Sequence, residues 1–172
     1  MDDDPEARSR ALAALDMAVL HQGSLYTVTA PAALFVAAIL DHPMGRAEQA
    51  GNFPWDEESP RSLRAALLAW LAQVAESAAY GEDPERDRAN WDWEPWRDAT
   101  RGERDPDELA ALAACRAIRP ALYDSVEPHL SALDPHVREA ALGAAVPLLS
   151  SPLLVDQAPG WIDGSERAWQ ER

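Results

Sequence analysis

The sequence predicts an all-α fold, and three observations support this prediction. Alanine- and leucine-rich segments with an apolar period of about 3.6 residues cover most of the chain outside two polar stretches. Asp-Pro and Ser-Pro dipeptides precede several of these segments, and they start helices well because the first residue can cap while proline suits the first helical position. Clusters of β-branched residues, which would indicate strands, are nearly absent.

Six segments are predicted as helices because apolar residues recur in them at helical spacing. They span residues 5–22, 30–41, 60–80, 106–118, 120–132 and 135–149. The dipeptides that mark helix starts are Asp4-Pro5, Ser59-Pro60, Asp83-Pro84, Asp105-Pro106, Asp134-Pro135 and Ser151-Pro152. The one β-branched cluster, residues 26–29, runs into Ala30-Pro31, so we expect an extended lead-in with Thr29 or Ala30 at the cap.

Residues 120–149 have the pattern of two helices of similar length joined by a tight turn. In the first helix, apolar residues recur at Leu122, Val126, Leu130 and Leu133. The second helix can be capped by Asp134, and its apolar stripe consists of Val137, Ala140, Ala141, Ala144, Ala145 and Leu148. Such a pair cannot bury both faces alone, so we expect it to stack on neighbouring helices.

Residues 133–142 read Leu-Asp-Pro-His-Val-Arg-Glu-Ala-Ala-Leu, and this segment resembles the HEAT-like helical-repeat family. In that family the second helix opens with an Asp-Pro turn and then Val-Arg. Asp134 and Arg138 match the family's residues that tie the turn and neighbouring repeats together. The resemblance covers residues 120–149 well, and residues 106–132 fit as the preceding helices, but the N-terminal half lacks the signature. It implies a short HEAT-like α-solenoid or solenoid-derived helical bundle, with an irregular bundle as the alternative.

The expected domain organisation is one all-α domain over residues 1–172, with an acidic loop at about 82–104 and helical-repeat pairs at about 105–150. A chain of 172 residues is long enough for one core, since it buries roughly 70% of its unfolded surface. A loop at residues 42–59 is expected to pack back through Phe53 and Trp55. Residues 82–108 contain eleven acids and five arginines around three tryptophans, so we expect a long acidic Trp-containing loop.

The chain is strongly acidic, with a formal charge of −15, and it contains no lysine. This charge argues against direct binding of nucleic acid or an anionic membrane and favours a basic protein partner, although it also serves solubility alone. One cysteine excludes an intramolecular disulfide framework. The N-terminal residues lack a signal-peptide pattern and no apolar run is long enough to span a bilayer, so we predict a cytoplasmic location. The arginine- and alanine-rich composition is typical of GC-rich bacterial genomes.

Sequence signatures of an enzyme are missing, since the chain has no Gly-rich phosphate loop, nucleophile elbow or His-Glu-x-x-His motif. The four histidines are far apart, and a surface or capping role is expected for His129 and His136, with Asp124 or Asp134 as neighbours. We therefore predict no metal, no cofactor and no catalytic residue. Cys115 and Trp70 are predicted core residues. A third alternative is an enzyme that uses a carboxylate pair in the acidic loop, which would need two acids of raised pKa in one pocket.

The predicted partner-binding site lies in the acidic loop. It consists of three tryptophans, which concentrate binding energy at interfaces, and the acids among them, which would attract a basic partner. These residues are Trp91, Asp92, Trp93, Glu94, Trp96 and Asp98. The alternative is that the tryptophans fold inward and fix the loop to the helices.

The function predicted from these features is that of a non-enzymatic protein-binding module. By analogy and by charge, we expect an acidic inhibitor or immunity-type protein that neutralises a basic partner such as a bacterial toxin. Association would be steered by acids that include Glu103, Asp105 and Asp107. The alternative is a HEAT-like scaffold or regulatory subunit of a larger assembly. The sequence leaves the partner and the oligomeric state open.

Overall fold

The computed structural model of the protein describes residues 4–49, 61–80, 105–150 and 154. The helices in these residues are α1 (Pro5–Val19), α2 (Thr29–Ala38), α3 (Leu63–Ala79), α4 (Pro106–Ala117), α5 (Arg119–Val126) and α6 (Pro135–Leu149). Short 3₁₀ segments lie at His21–Gly23, Pro43–Arg46 and Glu127–Ser131. Two strands of two residues each, β1 (Glu48–Gln49) and β2 (Arg61–Ser62), pair antiparallel. The predicted all-α class is confirmed.

Capping hydrogen bonds confirm the helix starts that were predicted at three Asp-Pro dipeptides. The caps are Asp4, Asp105 and Asp134, and each carboxylate accepts a hydrogen bond at 2.9 Å from the backbone amide two residues later. Proline follows each cap at the first helical position, where its missing N–H costs nothing. The other three dipeptides, at residues 59–60, 83–84 and 151–152, include residues outside the described part of the chain.

Helix α3 lies at the centre of the described structure. It contacts α1, α2, α4, α5 and α6, and its packing against α6 is the most extensive between any two described elements. Trp70 is buried on α3 as predicted. The other buried residues of α3 are Ala65, Ala66, Leu67, Leu68, Leu71, Val74, Ala75, Ala78 and Ala79. A helix buried over so much of its circumference cannot form the outer layer of a fold.

Helix α6 presents the predicted apolar stripe to this central helix. Its fully buried members are Val137, Ala141, Ala144, Ala145 and Leu148, and Ala140 is partly buried against the same core. Alanines line both α3 and α6, and small side chains allow two helix backbones to lie close together. The core at this contact is therefore dense, and its volume tolerates little change.

Helix α3 begins later than the sequence pattern suggests. The predicted start was the Ser59-Pro60 dipeptide, whereas the helix begins at Leu63 and its cap is Ser62, which accepts a hydrogen bond from the Ala65 amide at 3.3 Å. The Leu63 amide bonds to the Ala47 carbonyl at 2.8 Å, and strand β2 pairs with β1 just before it. This pairing with a distant segment holds residues 61–62 extended, so the helix begins only at Leu63.

The predicted helix at residues 120–132 is divided. Helix α5 begins at Arg119 and ends at Val126, and Glu127–Ser131 continues as a 3₁₀ helix. Pro128 explains the change, because its ring clashes with the carbonyl four residues earlier and its nitrogen has no hydrogen to donate. The helical period is lost beyond this point. Leu133, which was predicted to continue the apolar stripe, is consequently 98% exposed in the turn before α6.

Helix α2 begins at Thr29, and its cap is Val28, whose backbone angles are already helical. The predicted extended lead-in with Thr29 or Ala30 at the cap is therefore wrong. Thr29 is fully buried, and its side chain forms two hydrogen bonds to the backbone. Its hydroxyl donates a short hydrogen bond to the Val19 carbonyl and accepts one from the Tyr26 amide at 2.8 Å. The side chain therefore fixes the start of α2 to the end of α1.

Candidate protein-binding surface

The predicted site residues Trp91, Asp92, Trp93, Glu94, Trp96 and Asp98 lie outside the described residues, and so does all of the acidic loop at about 82–104. Glu103, Phe53 and Trp55 also lie outside them. Asp105 and Asp107 are described and exposed at the start of α4.

An uncharged, exposed helix face is the most distinctive surface of the described structure. Helix α2 contains no charged residue, and its inner side is buried through Ala30, Ala33, Val36 and Ala37. Its outer side is apolar as well. We define the α2 surface as the exposed residues Val28, Pro31, Leu34, Phe35 and Ala38.

The α2 surface is continuous along the helix. Residues 28, 31, 35 and 38 are three or four positions apart, so successive members lie one turn apart on the same side. With a rise of about 1.5 Å per residue, the row is about 15 Å long. The exposed fractions are 65% for Phe35, 51% for Val28 and 39% for Leu34. An apolar row of this kind is a typical feature of an interaction site.

The flanking helices carry exposed acids. Helix α2 packs against α3, α4 and α5. The exposed acids on α4, on α5 and in the segments that follow α2 and α5 are Asp107, Glu108, Asp124, Glu127 and Asp41. No arginine is exposed on α2, α4 or α5, and the segment that follows α2 exposes one, Arg46. The apolar row is therefore accompanied by negative charge on the helices that support it.

The arginines of α4 and α5 point inward. Arg116 donates hydrogen bonds from Nε to the Ala78 carbonyl at 2.9 Å and from Nη2 to the Tyr80 carbonyl at 3.0 Å, so it holds α4 to the end of α3. Arg119 is buried. Because these positive charges serve internal contacts, the outer surface of the two helices is more negative than their composition suggests.

His129, Asp41 and Arg64 form a polar cluster. A surface or capping role was expected for His129, but its side chain is 6% exposed, and its Nε2 lies 3.7 Å from Oδ1 of Asp41. Arg64 donates from Nε to the Leu40 carbonyl at 2.7 Å. Burial lowers the pKa of His129, the charge of Asp41 opposes this change and the charge of Arg64 adds to it. The neutral imidazole is therefore the form that the fold favours.

The lowered pKa of His129 predicts a loss of stability in mild acid. The unfolded chain takes up a proton near the ordinary histidine pKa of about 6.5, before the folded chain does. The free energy of unfolding therefore falls as the pH drops below about 6.5 and is fully retained above it. We expect His129→Gln to flatten this dependence in urea unfolding followed between mildly alkaline and mildly acidic pH. His136→Gln, at an exposed histidine of α6, is the control, and equal slopes for wild type and His129→Gln would contradict the prediction.

Cys115 is buried in α4, as predicted. Burial raises the pKa of its thiol to about 11, and the nearby charge of Arg119 offsets this only in part. The thiolate is the nucleophilic form of cysteine, so this side chain is poorly suited to covalent chemistry.

Asp16 is a partly buried carboxylate near Trp70. Burial raises the pKa of Asp16, and the indole of Trp70 and the charge of His21 partly counteract this. Oδ1 of Asp16 and Nε1 of Trp70 are both buried. Among the described residues, the groups that act on this carboxylate are an indole and an imidazole.

Neither a metal-binding cluster nor a membrane-spanning helix occurs among the described residues. Within the described ranges, no three His, Cys, Asp or Glu side chains come together in a way that could hold a metal ion. In those ranges no helix has both the length and the apolar character needed to cross a membrane. Comparison of the chain with protein-family models, curated proteins and solved structures gives no match. The proposed function therefore rests on the sequence and the geometry of this chain.

Sequence reasoning missed the α2 surface although its signal is present. Residues 29–38 are apolar on all sides, a pattern that usually indicates a fully buried helix. Only the tertiary structure shows that one side remains in contact with solvent. Spacing at residues 28, 31, 35 and 38 identifies which side this is.

Proposed function

We propose that this chain is a non-enzymatic protein-binding module, an acidic inhibitor or immunity-type protein that neutralises a basic partner such as a bacterial toxin. One observation carries the proposal: acids are exposed on α4 and α5 while Arg116 and Arg119 are directed into internal contacts. On these two helices the exposed charges are therefore negative. A surface of this kind steers a positively charged protein toward it.

In the proposed complex, acidic and aromatic residues contribute to binding in different ways. Exposed acids raise the association rate and select a basic partner, whereas buried aromatic contacts supply most of the affinity. The sequence-based site of Trp91, Trp93 and Trp96 with Asp92, Glu94 and Asp98 remains part of the proposal as a source of such contacts. Coverage of the partner's active surface would then be enough for inhibition.

The proposed architecture is a solenoid-derived helical bundle related to the HEAT-like repeat. Asp134 caps α6, and Arg138 Nη1 donates to the Ala132 carbonyl at 2.8 Å, so both motif residues hold the turn that precedes α6. The central position of α3, which contacts helices on both sides of it in the sequence, supports a bundle more than an open row of repeats. A HEAT-like scaffold or regulatory subunit is the alternative function, because this turn fits the motif.

The first experiment measures how partner binding depends on salt. The tagged chain captures proteins from its native lysate, and the association rate of each retained protein is then measured at increasing ionic strength. From about 0.01 M to about 1 M salt the screening length falls from about 30 Å to about 3 Å. A basic partner whose association slows at least tenfold over this range supports the inhibitor. A partner of ordinary charge with a nearly constant rate supports the scaffold.

A matched pair of variants tests which acids steer the partner. The triple variant Asp107→Asn, Glu108→Gln and Asp124→Asn removes three exposed charges from α4 and α5. The control, Glu6→Gln, Glu76→Gln and Glu139→Gln, removes three exposed charges from α1, α3 and α6. We expect the first triple to slow association several-fold more than the control at low salt. Equal effects of the two triples would contradict the assignment of steering to α4 and α5.

A further inference from the structure

We infer that the α2 surface is the docking site for a basic amphipathic helix of the partner protein, an inference that rests on the proposed function. Helices that are apolar on all sides belong in the interior of a protein. Helix α2 instead leaves Val28, Leu34 and Phe35 exposed. Contact with a partner would remove this apolar surface from water, which is the main favourable contribution to most protein associations.

The shape of the surface fits a helix. Four of its five members form a row along α2 and its cap Val28, and an occupant helix can place apolar residues at i, i+3, i+4 and i+7 against that row. The row is also firmly held. Thr29 ties its beginning to Val19, and α3, α4 and α5 support the inner side. A rigid surface does not have to be ordered on binding, so little affinity is lost to ordering.

The charge around the surface determines the chemistry of the occupant. Asp41 follows α2, and the exposed acids Asp107, Glu108 and Asp124 lie on the helices that pack against it. Arg116 and Arg119 do not offset these acids outside, because one bonds to carbonyls of α3 and its end and the other is buried. Lysine or arginine on the flanks of the occupant helix would therefore complement the acids.

The same charges argue against other occupants. A second copy of this chain would bring the same acids to the contact, and like charges placed together at an interface are unfavourable. An anionic lipid surface or an acidic peptide would be repelled for the same reason. A basic amphipathic helix is the occupant that satisfies both the apolar row and its acidic surroundings.

The test uses synthetic peptides and the full chain. One helical peptide carries leucines at i, i+3, i+4 and i+7 with lysines elsewhere. A second replaces the lysines by glutamates, and a third keeps the lysines but scrambles the leucine positions. Fluorescence anisotropy measures the binding of each peptide. We expect the first peptide to bind at least tenfold more tightly than either of the others, and equal binding of the first and third would overturn the inference.

Variants locate the binding site on the chain. Phe35→Ser removes the most exposed large side chain of the α2 surface, and Val146→Ser removes an apolar side chain of similar exposure (57%) on α6. We expect Phe35→Ser to weaken binding of the basic amphipathic peptide at least 30-fold, as for an interface hot spot, and Val146→Ser to change it less than about twofold. Similar effects of the two variants would overturn the inference.

Three further outcomes would assign the surface to another occupant and so overturn the inference. Concentration-dependent dimers that Phe35→Ser abolishes would indicate a second copy. Binding to phosphatidylserine vesicles that depends on Phe35 would indicate a lipid surface. A large fall in melting temperature of Phe35→Ser without any ligand would indicate that the chain itself covers the residue. We expect none of these results.

Failure of this inference can be separated from failure of the proposed function. If the captured partner associates in a salt-dependent way but binds Phe35→Ser as tightly as wild type, the inhibitor proposal stands and the α2 site is wrong. If association is independent of salt while Phe35→Ser still weakens binding of the captured partner, the surface is used but the occupant is not basic, and the inference is overturned.

Discussion

Replacement of Trp70 by alanine is expected to lower the free energy of unfolding by about 4 kcal/mol, the usual cost of removing a buried tryptophan. Trp70 lies on the inner side of α3 and is 2% exposed. Its loss leaves a cavity in the helix that contacts all the other described helices, and close-packed neighbours can fill it only partly. For a chain of this size the melting temperature should fall by roughly 8–16 °C.

Urea and thermal unfolding of the full chain measure this effect. Trp70→Phe is the companion variant, because it keeps an aromatic ring and removes the indole N–H near Asp16. We expect it to cost clearly less than alanine. If alanine and phenylalanine were equally tolerated, Trp70 would not be the core residue that its burial indicates.

Introduction of a carboxylate between α3 and α6 is expected to be equally damaging. Ala141 is fully buried on α6, and an aspartate there would be desolvated without a partner, which costs about 4 kcal/mol or more. Since typical domains are stable by about 5–15 kcal/mol, Ala141→Asp should remove a large fraction of the free energy of unfolding and lower the melting temperature by roughly 8–16 °C or more.

The control for this variant lies two residues away. Gly143 is exposed on α6, and a side chain added there meets nothing within 4 Å. Gly143→Asp adds the same charge to the same helix, and we expect it to change stability by no more than about 0.5 kcal/mol. Equal solubility and equal circular dichroism of the two variants would show that the α3–α6 contact is looser than the burial of its alanines indicates.

Features that depend on neighbouring residues in the sequence were predictable. Asp4, Asp105 and Asp134 cap helices because a side chain and an amide two residues apart decide the interaction. The buried stripe of α6 and the burial of Trp70 followed from spacing along one helix. These are local properties, and nothing distant competes with them.

Features that depend on distant residues were not predictable. The start of α3 was misplaced because the Ala47 carbonyl and strand β1 hold the residues before Leu63. A surface or capping role was expected for His129, whereas it is buried beside Asp41 of the segment that follows α2. The missed end of α5 is different, because Pro128 was visible in the sequence and its effect on the helix was not considered.

The candidate surface likewise has features that depend on the sequence alone and features that depend on distant residues. Composition alone indicated an acidic binding protein, but the exposure of α2 depends on which of its sides α3, α4 and α5 cover. The inward use of Arg116 likewise depends on the carbonyls of Ala78 and Tyr80, more than thirty residues earlier in the chain. A charge count treats all arginines alike, so it underestimates how negative the outer surface is.

The central place of α3 also has a consequence for synthesis on the ribosome. Leu149, at the end of α6, follows Ala79, at the end of α3, by 70 residues. At about 5–20 residues per second, a nascent chain would carry α3 without its main covering helix for roughly 4–14 s. Its leucines and Trp70 remain open to other contacts during that interval, so chaperone binding to the unfinished chain should concentrate on α3.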